Sequence, residues 1–464
     1  MNLILNIISF LGIFGLCFIA WLGSEDRRTV PIKLIVVGVG LQLLIGALVF
    51  QFPPTRQFIV FLNDTVNAFI DAAEAGSRFL FGSIIVPPAN QSVGPGAAGR
   101  WIARAIGNPY VALPGDRLGA NNLDLGYFLA FRALPLVIFF SGLVNLLYRL
   151  GFIQPVIRIF AQLFRATMNL SGAEAMSGAA NIFVGIESAI TVKPFLRDMT
   201  RSELCAILTS CFGSIASTVL GLYAGFLRPV FPNITGHLMS ASVLTIPACF
   251  VIAKILVPEK GQPLTLGKVP PEVEDPGKPK PSIMDSLIVG ALDGVKLAVG
   301  IAAVLIAIVG LVALLNSMFD YLASINSIFA YVSLDNIFGF LFVPLTFLTG
   351  ISLDPQEIWQ SSVLIGQRVL QTSIPPYLAL ARMAGTGELS DRALLIISYV
   401  LCGFAHIPSY GIFVGGLANL APSRRGDISA LGWKALWGAT LATLMTGCIA
   451  GIFFSAGNAA ILGT

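Results

Sequence analysis

The chain has 464 residues, of which 56% are hydrophobic and only 11% are charged. This composition excludes a soluble globular protein and is typical of a polytopic membrane protein. The formal net charge of +4 is small and the basic residues are scattered over loops, so a nucleic-acid partner is not expected. The cysteines lie in apolar segments without a CxxC or Cys/His spacing, so we expect neither a disulfide nor a structural metal.

The N-terminal part, residues 1–125, is expected to contribute scaffold helices and an extramembrane loop. Residues 3–22 and 34–50 are each apolar and long enough to cross the hydrocarbon core. The first helix lacks a basic leader and a small-residue cleavage site, which favours a retained helix over a signal peptide. The amphipathic pattern from residue 53 to about residue 81 predicts an interfacial helix, and the Pro-, Gly- and Asn-rich residues 86–125 predict a loop.

The next part, residues 126–257, contains the most interrupted stretch of the chain. Spans are predicted at about 125–147, 204–226 and 239–256. Between the first two of them, the sequence SGAANIFVGIESAITVKPF mixes helix breakers with polar side chains. This pattern predicts a re-entrant helical hairpin, hairpin 1, at about residues 171–196, whose backbone ends are buried by protein rather than by lipid. Polar side chains at membrane depth are costly and mark solute or ion sites, so hairpin 1 is the candidate site.

The order of elements repeats after a hydrophilic linker at residues 258–283, predicted to be cytoplasmic. The second repeat, residues 284–464, is expected to contain a span, an amphipathic stretch, hairpin 2 at about residues 357–382, an interrupted span and a last span. A unit of this kind occurring twice is typical of internally duplicated transporters. Because each unit has an odd number of full crossings, we expect the two repeats to insert in opposite orientations.

The distribution of Lys and Arg predicts the topology. About eight full crossings with both termini outside place all the basic loops on the cytoplasmic side. These loops lie at residues 27–33, 149–165, 193–201, 254–280 and 424–425. Hairpin 1 then enters from the cytoplasm and hairpin 2 from the opposite side, so their tips can meet near the midplane. The predicted fold is an all-α polytopic membrane protein with inverted repeats, two re-entrant hairpins and interfacial helices.

Several blocks of sequence, in order, resemble the concentrative nucleoside transporter family. They are LGSEDRR, FRALPLVIFFSGLVNLLYRLG, SGAEAMSGAANIFVG, VKPFLRDMTRSEL and YVLCGFAHIPSYGIFVGGLANLAPSRRGD. The resemblance covers most of the chain outside residues 86–125 and 258–281. It implies a homotrimer in the inner or plasma membrane whose protomers have a scaffold and a mobile transport domain. It also implies nucleoside uptake driven by a Na⁺ or H⁺ gradient, with no other cofactor.

The resemblance assigns candidate site residues to both halves of the chain. The expected Na⁺ ligands are Asn181, the Val184 carbonyl, Ser214 and the Ile215 carbonyl. Oxygen ligands from a broken hairpin and a neighbouring helix suit a hard monovalent cation. The residues expected to contact the solute are Ile186, Glu187, Ser188, Val219, Ser373, His406 and Ser409.

The first hairpin departs from the family pattern N-x-F-V-G-Q-T-E-A-P. The sequence NIFVGIESAI keeps Asn181 and Gly185 but is one residue shorter than the pattern before the retained Lys193. Counting forward from the glycine puts Ser188 at the position of the family's Glu, whereas counting back from the lysine puts Glu187 there. Both registers remain open.

The second half departs further. Where the family has N-E-F-V-A-Y, this chain has TSIPPY, so Ser373 stands where the family's ribose-binding Glu is expected. The family's F-A-N-x-x-S becomes FAHIPS, which replaces the Asn by His406 and keeps Ser409. Buried sites discriminate through satisfied hydrogen bonds, so the ribose contacts cannot be the usual ones.

Each candidate residue also has a structural interpretation. Asn181 can cap the second arm of hairpin 1, Glu187 can pair with Lys193, and His406 can be a neutral core histidine or a proton-coupling group. The hydroxyls of Ser409, Ser373 and Thr372 can bond back to a helix carbonyl, and Gln367 and Arg368 are expected to be structural or to lie at the membrane interface.

Two functions remain open for the chain as a whole. The first is cation-coupled import of nucleosides or a related heterocyclic solute. The second is a membrane gate, receptor or scaffold that keeps the fold without coupled transport. An enzyme is not expected, because the sequence shows no nucleophile with a base, no metal cluster and no phosphate loop.

Overall fold

A computed structural model describes residues 2–88, 117–118, 123–124, 127–183, 185–267, 282–325 and 332–454. The regular elements in this part of the chain are helices, except for one small antiparallel pair of strands. These strands are β1, Arg117–Leu118, and β2, Leu123–Asp124, with Arg117 opposite Asp124.

The helices of the first half follow the predicted order of spans, surface helices and hairpin. They are α1 (Asn2–Leu22), α2 (Ile32–Phe50), α3 (Pro53–Phe81), α4 (Leu134–Arg149), α5 (Ile153–Met168), α6 (Gly172–Asn181), α7 (Arg201–Gly213), α8 (Ser217–Leu227) and α9 (Ile234–Leu256). A π-helical turn, Leu129–Ala133, precedes α4, and a 3₁₀ helix, Ile186–Phe195, follows α6.

The second half repeats this order. Its helices are α10 (Ile283–Ile325), α11 (Leu334–Leu348), α12 (Pro355–Leu370), α13 (Ile374–Gly385), α14 (Asp391–Leu401), α15 (Ile407–Leu420) and α16 (Arg425–Phe453), with a 3₁₀ turn at Pro422–Arg424. Hairpin 2 is therefore α12 with α13. In the described part of the chain, seven helical segments are long and apolar enough to cross a membrane, and one of them, Arg201–Leu227, is interrupted between α7 and α8. The interrupted span of the second repeat corresponds to α14 and α15.

Two features of hairpin 1 and its neighbour differ from the prediction. The second arm of hairpin 1 is a 3₁₀ helix rather than an α-helix, and it contains Pro194, which cannot donate a backbone hydrogen bond. The span predicted at residues 204–226 lies within a helical segment of membrane length, Arg201–Leu227, but this segment is not continuous. It breaks into α7 and α8, because Ser214 and Ala216 have extended backbone angles.

Matching capping interactions begin the hairpins and the broken helices. Capping boxes start α6, at Ser171 with Glu174, and α7, at Thr200 with Glu203. The Asp354 side chain caps α12 and the Ser390 side chain caps α14. Side-chain acceptors satisfy first-turn N–H groups that a helix cannot satisfy itself, so the entry points of these elements are fixed in both repeats.

The basic loops lie together on one face, as the predicted topology requires. In the loop after α1, Glu25 contacts both Arg201 and Lys434 at 2.9 Å, and Asp26 contacts Lys260 at 2.9 Å. Two further hydrogen bonds join the remaining loops to this face. They run from Arg165 to the Gly267 carbonyl and from Arg424 to the Met199 carbonyl, each at 2.6 Å.

The centre of the molecule is formed by α7, α8, α9 and α16, whose apolar residues are mostly buried. In contrast, α10 exposes most of its apolar surface and packs against α4. A helix that presents apolar side chains outward over 43 residues fits a lipid environment.

Candidate functional site

Two broken helices meet at the centre of the molecule. The first break separates α7 from α8 at residues 214–216, and the second separates α14 from α15 at residues 402–406. Gly403 has φ +153°, and a methyl group added there would lie 2.5 Å from the carbonyl oxygen of Gly213. The backbones of the two breaks are therefore in direct contact, which brings both repeats to one point.

The tip of hairpin 2 binds to the second break. Ser373 Oγ donates a hydrogen bond of 2.9 Å to the Gly403 carbonyl, and Thr372 Oγ1 accepts one of 3.3 Å from the backbone N–H of Ile374. The hydroxyl of Ser373 therefore joins hairpin 2 to a neighbouring element and does not bond back to its own helix. This position carries no carboxylate, so it cannot act as the family's ribose-binding acid.

Hairpin 1 contacts the first break through Asn181. This side chain is fully buried, and its Nδ2 donates to Ser210 Oγ at 3.0 Å and lies 3.6 Å from Cys211 Sγ. Asn181 Oδ1 and Ser214 Oγ, both buried, have no hydrogen-bond partner within the described residues. Buried oxygens without a protein donor are the ligands that a hard cation takes, since a bare acceptor is otherwise costly.

The interpretation of Asn181 as a cap of the second arm is wrong. Asn181 is the last residue of α6, and the second arm begins after Gly185, where the described residues provide no side-chain cap. Its amide instead points across to α7.

The remaining first-half candidates are only partly described. Val184 and the side chains of Ile186 and Glu187 lie outside the described residues. Ser188 is buried, with its Oγ 4.0 Å from Cys211 Sγ. Val219 is buried in the first turn of α8, and Ile215 is buried at the break itself. The structure thus brings Asn181, Ser188 and the α7–α8 break together.

His406 is the N-cap of α15. Its Nδ1 accepts a hydrogen bond of 3.2 Å from the backbone N–H of Ser409, and Ser409 Oγ lies 2.8 Å from the same nitrogen. An accepting nitrogen must be unprotonated, and the positive end of the helix dipole opposes an imidazolium there. This geometry favours the neutral core histidine over a proton-coupling group.

Sequence reasoning assigned no role in the site to three large buried side chains next to the second break. Tyr223 stacks on Tyr377 with ring centroids 4.5 Å apart, and Arg368 is completely buried in the last turn of α12. Of the two positions expected for Arg368, structural or at the membrane interface, its complete burial contradicts the second. A charged residue inside a predicted hairpin was the signal that could have identified Arg368. The partners of all three side chains come from distant segments, so the sequence did not predict them.

A charged cluster fixes the outer end of hairpin 1 to the last turn of α9 and to the segment that follows it. Lys254 Nζ lies 2.5 Å from Glu174 and 3.1 Å from Glu259, and Ser171 Oγ donates to Glu203 at 2.6 Å. Ion pairs that are mostly withdrawn from solvent require good geometry to be tolerated. This cluster anchors the start of α6 to the end of α9 and to the segment after it.

The paired hairpins and broken helices define a membrane transporter of the inverted-repeat class. Family models for the N-terminus and C-terminus of the Na⁺ dependent nucleoside transporter match residues 11–84 and 237–451, and a nucleoside-recognition gate model matches residues 130–230. The chain belongs to the family of Na⁺-dependent, concentrative nucleoside transporters. It is a multi-pass membrane protein of a transporter family, and not of an enzyme family.

The relatives match over nearly the full chain. An uncharacterized transporter of Haemophilus influenzae is 34% identical, covering 98% of this chain and 99% of its own length. The putative nucleoside permease NupX of Escherichia coli is 32% identical, covering 96% and 98%. The structure of CNTnw in an inward-facing substrate-bound state has a TM-score of 0.80 and 31% identity, covering 97% and 99%. These matches confirm the predicted fold class and the family resemblance.

Proposed function

We propose that the chain is a Na⁺-coupled symporter that imports a nucleoside across the cell membrane as a homotrimer. The observation that carries this proposal is the pair of buried oxygens on Asn181 and Ser214 that have no hydrogen-bond partner among the described residues. They belong to hairpin 1 and to the α7–α8 break, the two elements that family membership makes the ion site. The Ile215 carbonyl and the Val184 carbonyl, the latter outside the described residues, complete the proposed ligand set.

Coupling follows from where these ligands lie. A Na⁺ ion held between Asn181 and Ser214 joins hairpin 1 to the α7–α8 break, and both elements also carry proposed solute contacts. Ordering them around the ion lowers the cost of binding the solute, and by linkage the solute raises the affinity for Na⁺ to the same extent. The capping role of His406 argues against H⁺ as the coupling ion.

The nucleoside is proposed to lie between the two hairpin tips. Glu187 and Ser188 contact it from the first repeat, with Ile186 beside them, and His406 and Ser409 contact it from the second. Val219 packs on the base. Ser373 lies at the same site, but its hydroxyl already donates to the Gly403 carbonyl, so polar recognition of the ribose depends chiefly on the first repeat.

The proposed division of the chain follows the repeats. Residues 1–125 belong to the scaffold, and residues 126–257 and 284–464 are the repeats on either side of the linker at 258–283. The recurrence of a hairpin followed by a broken helix supports the two repeats. The exposed apolar surface of α10 supports contacts with lipid and with other subunits.

Uptake of radiolabelled nucleosides into proteoliposomes tests the proposal. We expect accumulation with an inward Na⁺ gradient and none when the double variant Asn181→Ala, Ser214→Ala replaces the native chain. Uptake that ignores Na⁺ but collapses with the proton gradient contradicts Na⁺ coupling.

One observation favours a second candidate function, a gate, receptor or scaffold without coupled transport. Ser373 replaces the acid expected in hairpin 2 and is already bonded within the protein. Nucleoside binding measured by calorimetry together with no uptake under any gradient supports this second candidate.

A further inference from the structure

The two helix breaks pose the same electrostatic problem. At each break, the first half of the helix ends inside the protein and leaves terminal carbonyl oxygens without intrahelical donors. These ends, at Gly213 of α7 and Leu401 of α14, carry partial negative charge, because the helix dipole ends there. A buried site of that kind is stabilised by a positive charge.

The two repeats provide different groups at these ends. In the first repeat, the last residue of α6 is Asn181, which bonds to Ser210 in the last turn of α7 and leaves an acceptor oxygen unpartnered by the described chain. In the second repeat, the last turn of α12 contains Arg368, which bonds to the last turn of α14. One element offers bare oxygens, and the other offers a guanidinium.

The contacts of Arg368 are specific. Its Nη1 donates 3.2 Å to the Val400 carbonyl and 3.1 Å to Thr443 Oγ1 of α16, while Thr443 in turn donates to the Thr440 carbonyl. Among the described residues, Arg368 forms no salt bridge, and its Nε and Nη2 have no hydrogen-bond partner. The charge is therefore not neutralised by a described carboxylate, and the end of α14 is its negative counterpart.

We propose that Arg368 is a tethered cation. Its guanidinium does for the end of α14 what the coupling ion does for the end of α7, an inference that rests on the proposed Na⁺ site. Hairpin 2 is then held to its break permanently, by Arg368 and by the bond from Ser373 to Gly403. Ion-dependent closure is confined to hairpin 1, and the second repeat needs no mobile cation.

A purely structural role does not account for this residue. A fully buried charge is costly, and replacing buried ionic groups by apolar side chains of similar volume is often neutral or stabilising. A methionine would fill much of the same space without the desolvation cost. The positive charge itself is what the end of α14 uses, so Arg368 is a positioning residue for hairpin 2.

Chemical rescue of full-length variants tests this role. Arg368→Ala removes the charge and makes room for a free methylguanidinium ion, Arg368→Met removes the charge but fills the room, and Arg368→Lys keeps the charge. Two properties are measured: Na⁺-driven nucleoside uptake per folded transporter, in proteoliposomes, and the unfolding temperature, in detergent. Each is measured in methylguanidinium chloride and, as the salt control, in tetramethylammonium chloride. Arg392→Met is the matched control, because Arg392 is a buried guanidinium paired to Gly350, Asn6 and Ser9 outside the breaks.

We expect Arg368→Lys to retain uptake and both neutral variants to lose at least about tenfold, the effect of losing one strong charge interaction. Methylguanidinium should restore uptake and raise the unfolding temperature of Arg368→Ala only. Arg392→Met should unfold at a lower temperature but keep its uptake per folded transporter. If Arg368→Met behaves like Arg392→Met, or if methylguanidinium rescues neither property, the proposal is overturned.

The two proposals fail separately. The unfolding-temperature measurement needs neither Na⁺ nor nucleoside, so it decides the role of Arg368 even if the native chain shows no Na⁺-driven uptake. If the neutral variants do not fold and Arg368→Lys does, the charge is required and the proposal stands. If Arg368→Lys does not fold either, the shape of the side chain rather than its charge is what matters, and the proposal falls.

Discussion

The Nδ2 of Asn181 donates a hydrogen bond of 3.0 Å to Ser210 Oγ, and this bond fixes the orientation of the amide. Its Oδ1 is then the acceptor available for a cation, together with Ser214 Oγ. We predict that Asn181→Ala and Ser214→Ala each raise the Na⁺ concentration for half-maximal uptake by about 10- to 150-fold, the equivalent of one polar contact to a charge. Uptake measured against Na⁺ concentration checks this.

The control for these two variants is Ser202→Ala. Ser202 is also a buried hydroxyl of α7, but it donates to the Val257 carbonyl at 2.7 Å, at the opposite end of the helix from the break. Its loss should leave the Na⁺ dependence unchanged. Equal Na⁺ dependence in all three variants would place the ion elsewhere.

Glu187 provides the second prediction. If its carboxylate accepts hydrogen bonds from the solute, Glu187→Gln should weaken nucleoside binding by about 1.5 to 3 kcal/mol, the range for hydrogen bonds to charged groups. Calorimetric titration with nucleosides measures this change. Lys193→Met distinguishes a solute contact from a simple ion pair with Lys193. If Glu187 only pairs with Lys193, Glu187→Gln and Lys193→Met should weaken nucleoside binding equally.

The third prediction concerns His406. Asn is a favourable N-cap, so His406→Asn should keep the bond to the Ser409 N–H and fold normally. It also restores the family's residue, and we expect tighter binding of ordinary ribonucleosides. His406→Ala, which loses the cap, should be destabilised by about 0.5 to 2 kcal/mol without that gain. Binding of ribonucleosides that does not improve in His406→Asn contradicts a contact between this residue and the solute.

The sequence predicts the features of the fold that depend on residues near one another in the chain, but not the contacts between distant segments. Apolar runs predict the spans, the polar, Gly-containing stretch around Asn181 predicts hairpin 1, and the repeated order of elements predicts hairpin 2, because these signals can be read along the chain. The break at Ser214 was not predicted, since apolar residues continue on both sides of it. The partners of Arg368 and the contact between Gly403 and Gly213 depend on how distant segments pack, which no local pattern encodes.

Gly403 provides the fourth prediction. Its positive φ favours glycine, and a methyl group there would collide with the Gly213 backbone. Gly403→Ala should therefore separate the two breaks, cost about 1 to 3 kcal/mol of stability as an overpacked site, and reduce uptake. Gly411→Ala in α15 is the control, because a methyl group there meets no described atom within 4 Å. Thermal unfolding and uptake of the two variants should differ, and equal behaviour contradicts the close contact.

The last prediction concerns pH and Glu25, which joins the loop after α1 to α7 and α16. Burial raises the pKa of this carboxyl, but hydrogen bonds and charge from Lys434 and Arg201 outweigh burial and hold the pKa below its usual value. Because the folded-state pKa is lowered, the carboxylate stabilises the fold at pH values above its ordinary pKa of about 4.3. This stabilisation is lost as the pH falls through the folded-state pKa. Glu25→Gln should thus unfold at a lower temperature than the native chain at pH 7.

The difference at pH 7 should be small, about 0.2 to 1 kcal/mol for each of these partly exposed pairs. It should shrink as the pH is lowered below about 4.3, because the native carboxylate then becomes protonated and resembles the amide. Asp293→Asn is the control, since among the described residues Asp293 pairs only with Lys296, in an exposed pair within α10, and should show almost no effect. A difference between Glu25→Gln and the native chain that persists unchanged into acid would mean that the amide perturbs packing and that the charge of Glu25 does not join these segments.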